Sequence, residues 1–207
     1  MCYFNAMNEK FYDLSKEKQD RMLNGGMQVF AKCGYRHAST DEMVKATGVS
    51  KGLWFHYFDN KKGLYYYVCS YGIRYALLEL SMQLDDSVTD YFLLRSKLEE
   101  IKMSLVDKYP YLPLLLSAIM DEDDEEAIEV IHDLKQQYID KKTEILMQAD
   151  KTIFVDGDEA RHLGAMLDAS FDHLLRESYR VPVFSRDNYL DGIHNYIEIA
   201  KKMVRNN

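Results

Sequence analysis

An all-α protein is what this sequence predicts, on three observations. There are only three prolines in 207 residues, alternation of apolar and polar side chains is nearly absent, and apolar residues recur at helical spacing through successive stretches. In the first stretch Met22, Gly26, Val29, Phe30 and Cys33 place one face of a helix inward. Gly25-Gly26 is a weak point within it, each glycine costing about 1 kcal/mol relative to alanine.

The second and third helices form a compact unit. Ser39 and Glu42 have the spacing of a reciprocal capping box that starts a helix at Thr40, and Met43, Val44 and Ala46 supply its inner face. Gly48 after Thr47 suits the left-handed conformation that ends a helix, and Ser50 stands where the next helix needs a cap. A helix, a tight turn and a helix make a helix-turn-helix, whose second helix enters the DNA major groove. Ser50, Lys51, Gly52, Leu53, Phe55, His56 and Tyr57 are therefore expected at nucleic acid. Thr40, Tyr57 and Lys61 suit phosphate oxygens, Lys51 and His56 base edges, and Leu53 and Phe55 thymine methyls. Trp54 and Phe58, on the opposite side of a short helix, are assigned to the core.

Residues 20 to 68 resemble the DNA-binding head of the TetR family of bacterial one-component repressors. The matching pieces are Arg21-Met22-Leu23, Val29-Phe30-Ala31-Lys32 with Gly34-Tyr35, Ser39-Thr40, Gly48-Val49-Ser50-Lys51-Gly52, His56-Tyr57-Phe58, Asn60-Lys61 and Leu64. Leu53 departs from the family's frequent small polar residue, Trp54 from its usual Leu, and Gly63 from its usual acidic helix former. The resemblance implies a head at 1–67 and a helical effector-binding and dimerisation domain at 68–207. It also implies a homodimer on an inverted-repeat operator in double-stranded DNA, a repressor released by a small molecule, and a cytoplasmic location.

The remaining elements follow in order. Asn60 can cap a long fourth helix to about Leu84, with Leu64, Val68, Tyr71, Tyr75 and Leu78 along one side. Beyond Asp85-Asp86, the residues Val88, Tyr91, Leu94, Leu98, Ile101 and Leu105 mark one helix, broken at Tyr109-Pro110-Tyr111-Leu112-Pro113. Leu114 to Met120 make a short helix, and the acidic run Asp121 to Glu126 opens another to about Asp150. Those carboxylates suit the positive end of a helix dipole better than a cation site. Leu163, Leu167, Phe171, Leu174 and Leu175 stripe the next helix, and Val181-Pro182-Val183 links it to a last one striped by Tyr189, Ile193, Tyr196, Ile197, Ala200 and Val204. By the resemblance, Leu163, Leu167, Phe171, Tyr189, Ile193, Tyr196 and Ile197 form the dimer interface; apolar stripes alone fit an internal core equally well.

Composition narrows the function. The net charge is −8, yet it divides unevenly. Up to Tyr67 there are 10 Lys and Arg against 7 Asp and Glu, or +3, while the remainder holds 16 against 27, or −11. A mildly basic head on an acidic body suits a sequence reader better than a general nucleic-acid coater. Cys2, Cys33 and Cys69 have no metal or disulfide spacing, no apolar run reaches the roughly 20 residues of a membrane span, and Met1 to Lys10 lacks the order of a signal peptide.

An enzyme is not expected, and neither a cofactor nor a metal is implied. Two Glu-x-x-His spacings, Glu129 to His132 and Glu159 to His162, match those of di-iron bundles. The helical phase rejects them, because Ile128, Ile131, Leu134, Tyr138 and Ile145 set the buried side and leave Glu129 and His132 wet. Met103, Tyr109, Tyr111, Tyr138, Met166, Ser170 and His173 are the candidates for an effector pocket, and Asp168, Asp172 and His173 fit either a polar ligand or hydrogen bonds within the bundle. Two other functions compete with an effector-released repressor: an effector-independent activator or nucleoid-type binder, and a helical metal enzyme.

Overall fold

A computed structural model describes residues 11–85 and 87–205. The readings of Met1 to Lys10 and of Cys2 lie outside the described residues. The helices are α1 (Lys16–His37), α2 (Thr40–Thr47), α3 (Lys51–Phe58), α4 (Lys61–Gln83), α5 (Tyr91–Ser104), α6 (Leu112–Met120), α7 (Glu125–Met147), α8 (Gly157–Ser178) and α9 (Arg186–Arg205). A 3-10 turn, Leu105–Asp107, follows α5. Val88 stands outside α5, and α6 begins at Leu112 because Pro113 is tolerated in a first helical turn.

The chain forms two compact units, residues 1–76 with 105–138 and residues 77–104 with 139–207. Compactness thus groups α6 and the start of α7 with the helix-turn-helix, a different partition from a functional boundary at 67/68.

In the first unit α1 packs on α2 and α6. Gly25 and Gly26 are buried where α1 approaches its neighbours: a Cβ on Gly25 would lie 2.0 Å from Thr47 Cγ2, and one on Gly26 would lie 2.8 Å from Val68 Cγ2. The helix propensity lost at these glycines is offset by close packing. The acidic run has two roles here. Asp124 Oδ1 accepts the N–H groups of Glu126 at 3.1 Å and Ala127 at 3.3 Å, as expected at a helix start. Its neighbours hold the end of α1: Glu122 Oε2 accepts the Tyr35 N–H at 3.0 Å and the Tyr65 hydroxyl at 3.3 Å, and Glu126 accepts the Tyr35 hydroxyl. Burial first, then this bond to Glu126, push the Tyr35 phenol above its ordinary range.

In the second unit α9 packs on α5 and α8. Leu94, Leu98 and Ile101 of α5 meet a core that includes Leu163, Leu167, Phe171, Tyr189, Ile193 and Ile197. Inside it lies a charge. Glu99 is buried, accepts the Tyr189 hydroxyl at 2.5 Å and pairs with Lys102 at 2.5 Å. Burial alone would raise its pKa, but Lys102 and Lys142 outweigh it and hold the carboxyl below the usual range.

Such a group stabilises the fold above the unfolded carboxylate pKa, and that stability is lost as pH falls through the lower folded value. Thermal unfolding should therefore show a steep loss of stability below about pH 4.3, the ordinary glutamate value. Glu99→Gln should flatten that acid limb while lowering the melting temperature at pH 7.

Candidate nucleic-acid interface

The helix-turn-helix is built by the predicted caps with one exception. Ser39 Oγ accepts the Glu42 N–H at 3.2 Å, and Glu42 Oε2 accepts the Ser39 N–H at 3.2 Å. Gly48 takes φ 68°, ψ 9°, the left-handed conformation that costs glycine least. Thr47 completes the turn, its hydroxyl donating to the Met43 carbonyl at 2.7 Å and accepting the Val49 N–H at 3.2 Å. Ser50 occupies the N-cap of α3 but its side chain makes no capping bond.

Helical phase then divides α3. Trp54, Tyr57 and Phe58 are buried, whereas Lys51, Gly52, Phe55 and His56 are exposed together with Ser50. Leu53 and Thr40 are half-buried at the edge. Trp54 and Phe58 are core, as expected, with ring centroids 5.8 Å apart, and Phe58 also meets Tyr67 of α4 at 5.1 Å. Lys51 Nζ rests 3.1 Å from Asp41 Oδ1, a surface pair that a phosphate or base acceptor can displace.

Two expected contacts are placed differently. The Tyr57 ring is only 8% exposed and sits edge-on to Phe11 at 5.8 Å, so it packs the head instead of facing outward. Lys61 turns inward: its ammonium donates to the carbonyls of Tyr35 at 3.0 Å and Arg36 at 3.3 Å and lies 4.4 Å from the Tyr35 ring. A lysine here closes the C-terminal end of α1, where carbonyls lack helical partners. Gly63 has a local reason too. Asp59 has φ 63° and Asn60 caps α4 through the Gly63 N–H at 2.8 Å. This tight connection would bring a Cβ at position 63 within 2.4 Å of the Phe58 carbonyl oxygen.

Residues 22–68, from α1 through the start of α4, match the model of bacterial regulatory proteins of the tetR family. This segment carries the TetR-family DNA-binding head. Solved structures of transcriptional regulators share its fold at low identity. The regulator PfmR of Thermus thermophilus is 18% identical, with 86% of this chain and 97% of that chain covered and a TM-score of 0.57. A TetR-like regulator of Rhodococcus sp. RHA1 is 14% identical over 92% and 96%, with a TM-score of 0.58. The transcription-regulator structure from Saccharomonospora viridis in complex with choline is 16% identical over 89% and 97%, with a TM-score of 0.57. No curated protein matches the chain.

Outside the TetR head the expected residues are dispersed. Tyr109, Tyr111 and Tyr138 belong to the first compact unit and Met103, Met166, Ser170 and His173 to the second. Met103 and Tyr109 are fully buried, Met166 and His173 are exposed, and the Ser170 hydroxyl donates to the Met166 carbonyl of its own helix at 2.8 Å. Asp172 pairs with Arg176 at 2.7 Å and Asp168 with Arg95 at 2.7 Å. Of the expected dimer residues, Leu163, Leu167, Phe171, Tyr189, Ile193 and Ile197 are covered by the chain's own core, leaving no surface for a partner, and Tyr196 alone is exposed. Ile128 is exposed and Ala127 takes its place on the buried side of α7. Glu129 and His132 face solvent, Glu129 pairing with Lys62 at 2.8 Å. Among the described residues no group of three or more His, Cys, Asp and Glu is placed to hold a metal ion.

Two lysines should now behave differently. Lys51→Ala should weaken binding to a selected DNA site by about 1–3 kcal/mol and weaken random DNA less, as read by competition binding. Lys61→Ala, which strands two backbone carbonyls, should cost about 1 kcal/mol of stability in urea unfolding and leave the ratio of specific to random affinity unchanged.

Proposed function

We propose that the protein is a cytoplasmic, dimeric repressor that holds an inverted-repeat operator and releases it when a small molecule binds its C-terminal helices. The division of labour is a DNA-reading head at 1–67 and an effector and dimerisation domain at 68–207. The observation that carries DNA reading is the exposed face of α3, where Lys51, Phe55 and His56 project beside Ser50 and Gly52. A lysine and two aromatic rings offer a donor for guanine acceptors and apolar contact for thymine methyls.

Effector release is supported by a cleft of about 380 Å³ in the second unit, within the size range of ligand pockets. The related fold from Saccharomonospora viridis holds choline. Helix α4 is unbroken from Lys61 to Gln83 and contributes to both compact units, which gives ligand binding a covalent route toward the head. Coupling of this kind is reciprocal: an effector that lowers DNA affinity must bind the DNA-bound protein less tightly.

Dimerisation is assigned to the outward faces of α8 and α9. Met166 on α8 and Tyr196, Ile199 and Met203 on α9 are exposed large apolar side chains, the latter three at spacings of one helix face. Ile199→Asp with Met203→Asp should give a folded monomer with collapsed operator affinity, since each head then reads one half-site. Ile193→Asp should instead unfold the second unit. Sedimentation and circular dichroism check both outcomes, and a dimer unaffected by the first pair would remove this face from the interface.

The central test selects an operator from random DNA and titrates the complex against a metabolite library. A ligand that weakens the operator complex about five- to 150-fold is expected, the range of typical allosteric coupling. If every ligand that binds the protein leaves operator affinity unchanged, the release mechanism fails and DNA reading stands.

A further inference from the structure

The cleft in the second unit has an unusual floor. Arg95 is only 6% exposed, yet it lines the cleft, and Tyr91, equally buried, lies beside it with the guanidinium carbon 5.3 Å from the ring centroid. Arg95 Nη1 donates to Asp168 Oδ1 at 2.7 Å, but Arg95 Nε and the Tyr91 hydroxyl are buried without a hydrogen-bond partner. Buried donors are nearly always satisfied, so two unmet donors in one cluster point to an absent acceptor. Gly164 makes room for them: a Cβ there would stand 2.5 Å from Arg95 Nη2 and 3.1 Å from the Tyr91 oxygen.

Charge counting agrees. Lys142 is pulled below its ordinary pKa first by burial and then by Lys102, with Arg95 acting in the same direction, while Asp168 and Glu99 oppose them. Three cations, Arg95, Lys102 and Lys142, thus share two carboxylates. Glu99 is committed to Lys102 and Tyr189. Asp168, whose side chain is 53% exposed, is left to serve both Arg95 and Lys142. Among these groups cations outnumber carboxylates. Lys151 adds a further cation to the lining, and Leu146, Met147 and Ala160 give the cleft an apolar wall.

We infer that this cleft binds a small organic acid, a monocarboxylate whose anionic end pairs with the Arg95 guanidinium and accepts the Tyr91 hydroxyl while its apolar part lies along Leu146, Met147 and Ala160. A guanidinium matches a carboxylate in a planar, two-point geometry. Asp168 is the internal competitor that occupies part of Arg95 when the acid is absent. A cation such as choline is disfavoured by the same charges. This site names the ligand class of the effector reading above and rests on it.

The test is calorimetric titration of the full chain with hexanoate, octanoate and phenylacetate, each beside its primary amide, with inorganic phosphate and choline as controls. At least one acid should bind about tenfold or more tightly than its amide, a loss expected when a charged hydrogen-bond partner is removed. Tyr91→Phe, which keeps the ring and the charge, should weaken the acid and spare the amide. Asp168→Asn should tighten the acid by freeing Arg95. Arg95→Met should abolish the preference, with circular dichroism reporting whether it folds. The inference is overturned if no acid outbinds its amide up to about 10 mM, a binding free energy of less than roughly 3 kcal/mol. It is equally overturned if phosphate or choline binds the cleft in preference to the acids, or if Tyr91→Phe and Asp168→Asn leave acid affinity unchanged. An acid that binds as described without altering operator affinity would overturn effector release alone; a different ligand that releases operator while no acid binds would overturn this site alone.

Discussion

Helix α3 is eight residues long, and a helix of that length does not hold itself together in water, where isolated helices below about 12–15 residues are marginal. The side of α3 proposed to meet DNA therefore depends on the burial of Trp54, Tyr57 and Phe58 on its inner side. Phe11, Phe58 and Tyr67 meet with centroids 5.1 to 5.3 Å apart, so residues before α1 and within α4 anchor the same short helix. With half of α3 spent on that anchor, the outward half is confined to Lys51, Gly52, Phe55 and His56. The proposed reading surface is small because the helix is held from behind.

The same economy governs the rest of the first unit. Glycines at 25 and 26 bring α1 close to α2 and α4, and a larger residue would push apart the elements that orient α3. The end of α1 is then tied by side chains from other elements. Lys61 closes its carbonyls, and Glu122 and Glu126 hold Tyr35 through its N–H and its hydroxyl. Arg36 approaches Asp124 at 3.5 Å as well, though an exposed pair of this kind adds little. A sequence that is acidic outside its head thus uses some of that acidity to organise the head. Net charge divided along the chain misses this, because residues 121–126 belong in space to the unit containing α1 through α3.

The second unit illustrates a cost met in a different way. A buried ion pair gains only when its remaining hydrogen bonds are satisfied. Around Glu99 they are, through Lys102 and Tyr189. Around Arg95 they are not, and Asp168 supplies one bond from a position open to solvent. The contrast between two neighbouring charges on one helix separates a structural polar cluster from one with capacity left for a ligand.

Much of this was legible in the residues themselves. The capping box at Ser39 and Glu42, the left-handed Gly48, the Asn60 cap and the helical periods are local patterns, set by bonds between residues three or four apart, and sequence carries them directly. Ser50 shows the limit even there, since occupying a cap position does not oblige the side chain to bond. What sequence could not settle is which partner each face would find. The stripe of Leu163, Leu167, Phe171, Ile193 and Ile197 spells an apolar face, but an apolar face is the same whether its own α5 or another subunit covers it. Tyr57 and Lys61 carry the right groups for phosphate, yet Phe11 and the carbonyls of Tyr35 and Arg36 claim them first. Arg95 stands within an apolar stripe, the one sequence signal that could have marked the cleft, but its shortage of acceptors exists only once α5, α7 and α8 come together. Helical period is decided between near neighbours in the chain; burial, pairing and unmet hydrogen bonds are decided by long-range packing, and only the tertiary structure brings those residues into contact.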